Sequence, residues 1–203
     1  MKKTGTGIIG LVTIIMLISS CASGAKVSRV DANSKTDLSG YWNDNDVRIV
    51  CKALINDCLS SPRVDNAIKA KGGTPKVIVG NFRNESSEHI DTAIISSIME
   101  EAIFNSGKLD FVAGGAIREA LRAERQDQLT NASEATASRL GYETGADFML
   151  TGTVRAVVDK AGNKTVRSYF INAEMTNIET NERMWMATNS EIKKVIVRPK
   201  TKL

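Results

Sequence analysis

The chain has 203 residues, of which 42% are hydrophobic and 25% are charged, and its formal net charge is +4. This length is sufficient for one domain with a hydrophobic core, and the mixed composition excludes a long low-complexity segment. The two Trp and three Tyr residues are not interleaved with a basic patch, so the composition gives no case for nucleic-acid binding.

Residues 1–20 have the pattern of a lipoprotein signal peptide. Two lysines precede an apolar stretch that is shorter than the roughly twenty residues a membrane span needs. The stretch ends in the sequence ISSC, which resembles the bacterial lipobox and makes Cys21 the lipidated residue. The alternative is an ordinary secretory signal with a chance cysteine. Since Ala22 is not Asp, the usual bacterial sorting pattern favours the outer membrane.

Residues 21–36 are expected to form the lipidated cysteine and a flexible tether. The stretch 22–36 holds no aromatic and few large apolar side chains, which is typical of disorder. Fifteen residues extend at most about 50 Å and average about 20 Å as a flexible coil. The tether is therefore short, and residues 37–203 are expected to form a single globular domain.

A first helix is predicted over residues 44–59. Its apolar residues recur at helical spacing, Asp44 or Asp46 suits the N-cap, and the sequence SSP at 60–62 ends it. On a continuous helix Cys51 and Cys58 share a face about 10 Å apart. A disulfide needs Cα atoms within about 7 Å, so we interpret both cysteines as small buried hydrophobes unless the helix breaks between them.

The central third alternates strands and helices. The β-branched run at 77–82 predicts a strand buried on both faces, which implies flanking helices. A second short strand is expected over 109–112. Helical spacing predicts three helices, over residues 91–105, 116–128 and 135–142.

The last third changes to the two-residue period of β-strands. A strand over 148–158 turns into a second around 169–175, and a third follows around 184–186. The whole order predicts an α/β (α+β) fold, with a mixed sheet, flanking helices and a C-terminal antiparallel meander. The basic residues that follow are interpreted as a solvated tail, with contact to lipid headgroups or an acidic surface as the alternative; they are Lys193, Lys194, Arg198, Lys200 and Lys202.

The sequence contains no pattern typical of catalysis or metal binding. His89 is the single histidine, and it precedes a helix, where capping is the simpler interpretation. A cysteine cluster, a calcium-binding loop and the GxSxG motif are all missing from the sequence. Gly114 and Gly115 lie between a strand and a helix but lack the third glycine of a dinucleotide loop. The chain is therefore expected to have no catalytic residues, no metal and no cofactor.

Four stretches together resemble the LpoB-type penicillin-binding protein activators. They are DLSGYWND at 37–44, VIVGNFRNESSEHID at 77–91, GADFMLTG at 145–152 and IETNERMW at 178–185. The last two also occur in domains that resemble the amino-terminal domain of TolB and in curli secretion proteins, so the resemblance implies that general fold.

The resemblance implies a non-enzymatic lipoprotein on the periplasmic side of the outer membrane. Such a protein binds a class A penicillin-binding protein and favours its active state, which raises glycan polymerisation and peptide crosslinking. The tether departs from the family pattern, because well-known members carry a long, proline-rich one. The alternative function is an envelope-assembly or secretion-associated lipoprotein, which would form rings where an activator would be a monomer.

Two sets of residues are candidates for roles in this function. Loops at strand ends commonly carry function, so we expect the partner-binding surface to include Arg83, Asn84 and His89. The residues of the first stretch are expected to form a structural motif; they are Asp37, Ser39, Gly40, Tyr41 and Trp42. Trp42 is either an exposed binding anchor or a residue that packs the segment onto the domain, and we favour packing.

Overall fold

A computed structural model describes residues 28–31, 34, 36–131 and 145–199. The predictions for the signal peptide, Cys21 and the helix over 135–142 lie outside the described residues, as does most of the tether. The chain divides into two compact units, Met1–Ser34 and Lys35–Leu203. Among the described residues, no helix has the length and apolar character that crossing a membrane would require.

The second unit contains four described helices and six strands. The helices are α1 (Asp44–Ser60), α2 (Pro62–Lys71), α3 (Thr92–Ser106) and α4 (Gly115–Asn131). The strands are β1 (Lys76–Asn84), β2 (Asp110–Phe111), β3 (Phe148–Ala161), β4 (Lys164–Asn177), β5 (Arg183–Asn189) and β6 (Lys193–Val197).

The six strands form one mixed sheet in the order β2-β1-β3-β4-β5, with β6 also paired to β4. Strand β1 runs parallel to β2 and β3, whereas β3, β4 and β5 form an antiparallel meander. The predicted mixed sheet with flanking helices is therefore confirmed.

Among the described residues, one face of the sheet is buried and the other is largely exposed. Val79, Leu150 and Met175 lie side by side on the buried face, against which α1 and α3 pack. The prediction that β1 is buried on both faces is wrong. Its buried residues alternate, and Ile78 on the opposite face is only partly covered. The reason is the partly antiparallel character of the sheet, which can leave one face to solvent where an all-parallel sheet needs helices on both.

Helix α1 follows the prediction except at its cap. The N-cap is Asn43, whose side chain accepts a hydrogen bond from the Asp46 N–H, while Asp46 accepts one from the Asn43 N–H. The prediction that Asp44 or Asp46 is the N-cap is wrong. Both residues lie in the first turn, where a carboxylate interacts favourably with the helix dipole. Cys51 and Cys58 are free and buried, as expected, and burial raises the pKa of each thiol to about 12.

The Pro62 that ends α1 also begins α2, a helix that the sequence did not predict. Proline fits the first position of a helix because it lacks the N–H that would remain unpaired there. Val64 is the single buried residue of this ten-residue helix, and Gly72 ends it in a left-handed conformation. The apolar periodicity of so short and polar a segment is too weak to indicate a helix.

Candidate functional site

Lys194 joins the amino-terminal motif to the last strand. Its Nζ lies 2.6 Å from Asp46 Oδ2 and 2.7 Å from Asp37 Oδ1, and it donates to the Tyr41 carbonyl at 2.9 Å. Burial alone would lower the pKa of Lys194, but the hydrogen bonds to the two carboxylates outweigh it and hold the pKa above its ordinary value. The interpretation of this segment as a solvated tail is thus wrong for residues 193–197, which form β6. The carboxylates of Asp46, buried in the first turn of α1, and of Asp37 in the motif provide partners for the ammonium group of Lys194.

Glu88 forms a second contact between charged groups, in addition to that of Lys194 with Asp46. It makes an ion pair with Arg167, and the two side chains are only 6% and 10% exposed. The Tyr169 hydroxyl donates to Glu88 Oε2 at 2.8 Å, and the backbone N–H of Trp42 donates to the same oxygen at 3.3 Å. Burial and the Glu88 carboxylate together raise the pKa of Tyr169 well above its usual value.

The five charged or phenolic residues Glu88, Arg167, Tyr169, Asp46 and Lys194 are called the buried charge network below. Two aromatic residues of the motif cover it. The Arg167 guanidinium lies 4.0 Å from the centroid of the Tyr41 ring, and the Trp42 ring lies 5.3 Å from that of Tyr169. Because each charged group pairs within the network, the arrangement is suited to holding segments together rather than to acid–base chemistry.

The residues Trp42, Val47, His89, Ile94 and Ile98 line an apolar depression of about 330 Å³, the helix groove. It lies where the motif meets the beginnings of α1 and α3. Asp91, not His89, caps α3, because its Oδ1 accepts the Ala93 N–H at 3.0 Å. His89 is exposed, and Ile94 retains 50% exposure in the first turn of α3.

Arg83 and Asn84 are the last two residues of β1, and His89 lies in the loop that joins β1 to α3. Arg83 and Asn84 lie on the other side of this loop from the helix groove. The Asn84 side chain forms the turn, since its Oδ1 accepts the Ser86 N–H at 3.0 Å and its Nδ2 donates to the Glu88 carbonyl at 2.7 Å. Arg83 is 72% exposed and 3.3 Å from Glu85. It borders a depression of about 400 Å³ on the open face of the sheet, the sheet groove, with Asn81, Thr151, Asn172 and Glu174. Of the three expected partner-binding residues, His89 therefore borders the helix groove and Arg83 the sheet groove, while Asn84 forms the turn between them.

A third depression, of about 500 Å³, lies between α4, β2 and the end of α3. Phe104 and Leu121 border it and are 69% and 45% exposed. In the part of the chain that the structure describes, no group of three or more His, Cys, Asp or Glu residues could hold a metal ion.

Sequence reasoning did not find the buried charge network or the helix groove. Glu88 and Lys194 are 106 positions apart, and no local pattern indicates that they share one buried region. One feature of the sequence could have indicated the helix groove. Ile94 and Ile95 are adjacent, so a helix cannot bury both equally against one surface, and the structure leaves Ile94 outside.

Comparison with known proteins gives a family and several structures of low similarity. A profile for the family described as "Peptidoglycan-synthase activator LpoB" matches residues 46–190. That range runs from the first turn of α1 to just past β5, so Trp42 and Lys194 lie outside it. No curated protein matches the chain.

Among solved structures, the LpoB C-terminal domains of Salmonella enterica and Escherichia coli are each 17% identical to the chain. Each match covers 68% of this chain and 94% of that domain, with a TM-score of 0.35. A lipoprotein of Neisseria meningitidis is 19% identical, with coverages of 63% and 88% and a TM-score of 0.39.

Proposed function

The chain belongs to the LpoB family of peptidoglycan-synthase activators, and on that basis we propose that it binds and activates a class A penicillin-binding protein. The family match over residues 46–190 carries this proposal, because it includes all the helices and five of the six strands described. Activation requires that the chain bind the active conformation of the synthase more tightly than the inactive one. The chain itself performs no catalysis in this proposal.

The proposal is tested by adding the purified domain to a cognate class A synthase and following polymerisation of lipid II. The domain alone should neither polymerise lipid II nor cleave peptidoglycan, yet it should accelerate the synthase. In solution it should be a monomer. Failure to accelerate any co-encoded class A synthase, together with ring formation in solution, would instead support the envelope-assembly or secretion role.

We propose that the synthase contacts the loop between β1 and α3 on both of its sides. The helix groove offers exposed apolar area beside a polar, exposed His89, which is the combination found at the centre of many protein interfaces. Arg83 extends the surface with an exposed guanidinium, and arginine is enriched at such interfaces. Asn84 contributes by holding the turn that separates the two sides.

Ile94→Glu should raise the domain concentration needed for half-maximal stimulation by about tenfold, as loss of a buried interface anchor does. Arg83→Ala should weaken stimulation by a smaller factor. The matched control is Ile117→Glu, because Ile94 and Ile117 are both third in their helices and are 50% and 58% exposed. Glutamate is favourable at the third position of a helix, and Arg83 is an exposed residue. All three variants should therefore melt within about two degrees of the wild type. Equal stimulation by the Ile94 and Ile117 variants would exclude the helix groove.

We further propose that Cys21 is lipidated and anchors the chain to the outer membrane with its domain in the periplasm. Membership of the family agrees with a lipoprotein of the cell envelope. Cys21→Ser should abolish acylation and move the chain to the soluble fraction, because several acyl chains are what holds such a protein on a bilayer. Fractionation and mass spectrometry of the first mature residue measure this. An unmodified Cys21 in the wild type, with a variant that still sediments with membranes, would contradict the anchor.

A further inference from the structure

Strands β3 and β4 continue beyond the body of the sheet as a projecting arm. The pairing of β1 with β3 stops at Val154, while β3 and β4 remain paired to their turn at Gly162. Strand β6 pairs with the far half of β4. We call residues 155–170 and 193–197 together the hairpin arm.

The inner face of the arm carries the attachment point of the amino-terminal segment. Asp37 is bound to Lys194 on this face, and Gly40 lies directly against Ile196. Gly40 has a positive φ of 69°, and a Cβ there would overlap the Ile196 side chain, so glycine is required for the close approach. The chain that precedes Asp37 therefore leaves the domain from the arm.

The outer face of the arm is apolar and uncovered in the described structure. Val157, Val195 and Val197 are 60%, 60% and 56% exposed, and Phe170 is 38% exposed. The strand register places Val195 beside Val166, and alternation along each strand puts these residues on the face opposite Arg167 and Lys194. An uncovered row of valines and a phenylalanine on a sheet face indicates an interaction surface.

This apolar face carries more basic than acidic groups. Lys164 and Lys193 lie on it and Arg198 lies at its margin, whereas Asp159 lies on it and Glu191 at its margin. Arg155 also lies on this face, where its charge is paired with Glu85. Arg198 is held at the hairpin turn by Asn163, whose backbone carbonyl accepts the Arg198 N–H and whose side-chain Nδ2 donates to the Arg198 carbonyl. The surface is thus complementary to a negatively charged partner.

The point at which the tether joins the domain, and its length, indicate the negatively charged partner. Only 15 residues separate Cys21 from Asp37, and such a segment extends at most about 50 Å and averages about 20 Å. If Cys21 carries lipid, as proposed above, the tether joins the domain at the arm, so its length allows the arm to reach the bilayer. Two copies facing each other through this surface would bring their lysines together, which disfavours self-association.

We propose that the outer face of the hairpin arm docks on an anionic phospholipid surface. The valines and Phe170 enter the headgroup region, while Lys164 and Lys193 contact lipid phosphates. This inference rests on the lipid anchor of the proposed function and adds a second membrane contact, which fixes the orientation of the domain. It also leaves the helix groove available to a protein partner.

The test uses residues 21–203 with Cys21→Ser, so that no acyl chain contributes, and vesicles of phosphatidylethanolamine and phosphatidylglycerol. Cosedimentation should show binding that falls with added salt and is at least tenfold weaker to phosphatidylcholine vesicles. The double variant Lys164→Glu/Lys193→Glu should bind at least tenfold more weakly than the parent. Lys52→Glu/Arg63→Glu, on α1 and α2, changes the net charge equally and should bind as the parent does.

A second variant pair tests the apolar contribution. Val157→Thr/Val195→Thr keeps the β-branched shape while removing apolar area, and it should weaken binding several-fold with the melting temperature unchanged. Equal binding by the parent and both arm variants would overturn the proposal, as would a concentration-dependent dimer that the arm variants abolish. The double lysine variant should still stimulate a detergent-solubilised synthase, so loss of vesicle binding is distinguishable from loss of the proposed function.

Discussion

Glu88→Ala should lower the free energy of unfolding by about 4 kcal/mol, because it leaves the charge of Arg167 buried without a partner. The Tyr169 hydroxyl and the backbone N–H of Trp42 lose their acceptor in the same step. Urea denaturation followed by circular dichroism measures this change, and the midpoint of thermal unfolding should fall by roughly ten degrees.

Glu85 provides the matched control for Glu88. It lies three residues earlier and pairs with Arg155 at 2.7 Å, but it is 34% exposed and its partner 61%. Contacts between exposed ions contribute at most about 1 kcal/mol, so Glu85→Ala should be nearly neutral. In the double variant Glu88→Ala/Arg167→Met the unpaired charge is gone, and part of the lost stability should return. Equal effects of Glu88→Ala and Glu85→Ala would show that the network does not stabilise the fold.

Trp42→Ala should lower the free energy of unfolding by about 3 kcal/mol, as large-to-small changes at packed aromatic positions do. The indole packs on the ring of Tyr169, whose hydroxyl donates to Glu88, so its removal also exposes a buried polar group to water. The neighbouring Tyr41 is 45% exposed, and Tyr41→Ala should cost no more than about 1 kcal/mol through its contact with Arg167.

The same variant separates the two roles considered for Trp42, because the residue also lines the helix groove. Urea titrations give its stability, and lipid II polymerisation gives its effect on the synthase at a temperature where the variant is folded. Unchanged stability with lost stimulation would identify Trp42 as a binding anchor. Lost stability with stimulation retained by the folded fraction would assign it to packing alone.

Hydropathy patterns predicted the elements whose burial is regular. Helix α1 buries residues at the spacing read from its sequence, and β3 and β4 form the hairpin that their alternation indicates. These predictions succeed because a helix or strand that packs on one side has apolar residues at a regular spacing in its own sequence. The turn at Gly162, with a φ of 58°, is likewise specified locally.

Hydropathy patterns did not predict the elements that are stabilised by contacts with other parts of the chain. Helix α2 is short and polar and packs through Val64, so contacts with α1 and β5 decide its existence. Strand β6 resembles a basic tail until the Asp37 and Asp46 carboxylates are placed beside Lys194. A lysine in a charged terminal segment is otherwise expected to be solvated.

Some features of the candidate surfaces could likewise be predicted from the sequence, and others could not. The sequence by itself determined the mixed fold, the family resemblance, the lipobox-like signal at Cys21 and the loop that holds Arg83 and His89. Only the tertiary structure decided that Arg83 and His89 face different grooves, that Ile94 is left exposed and that Glu88 meets Arg167 in the interior. Sequence periodicity reports which face of an element is apolar, whereas pairing across 79 positions depends on how the elements pack, and that is a property of the whole fold.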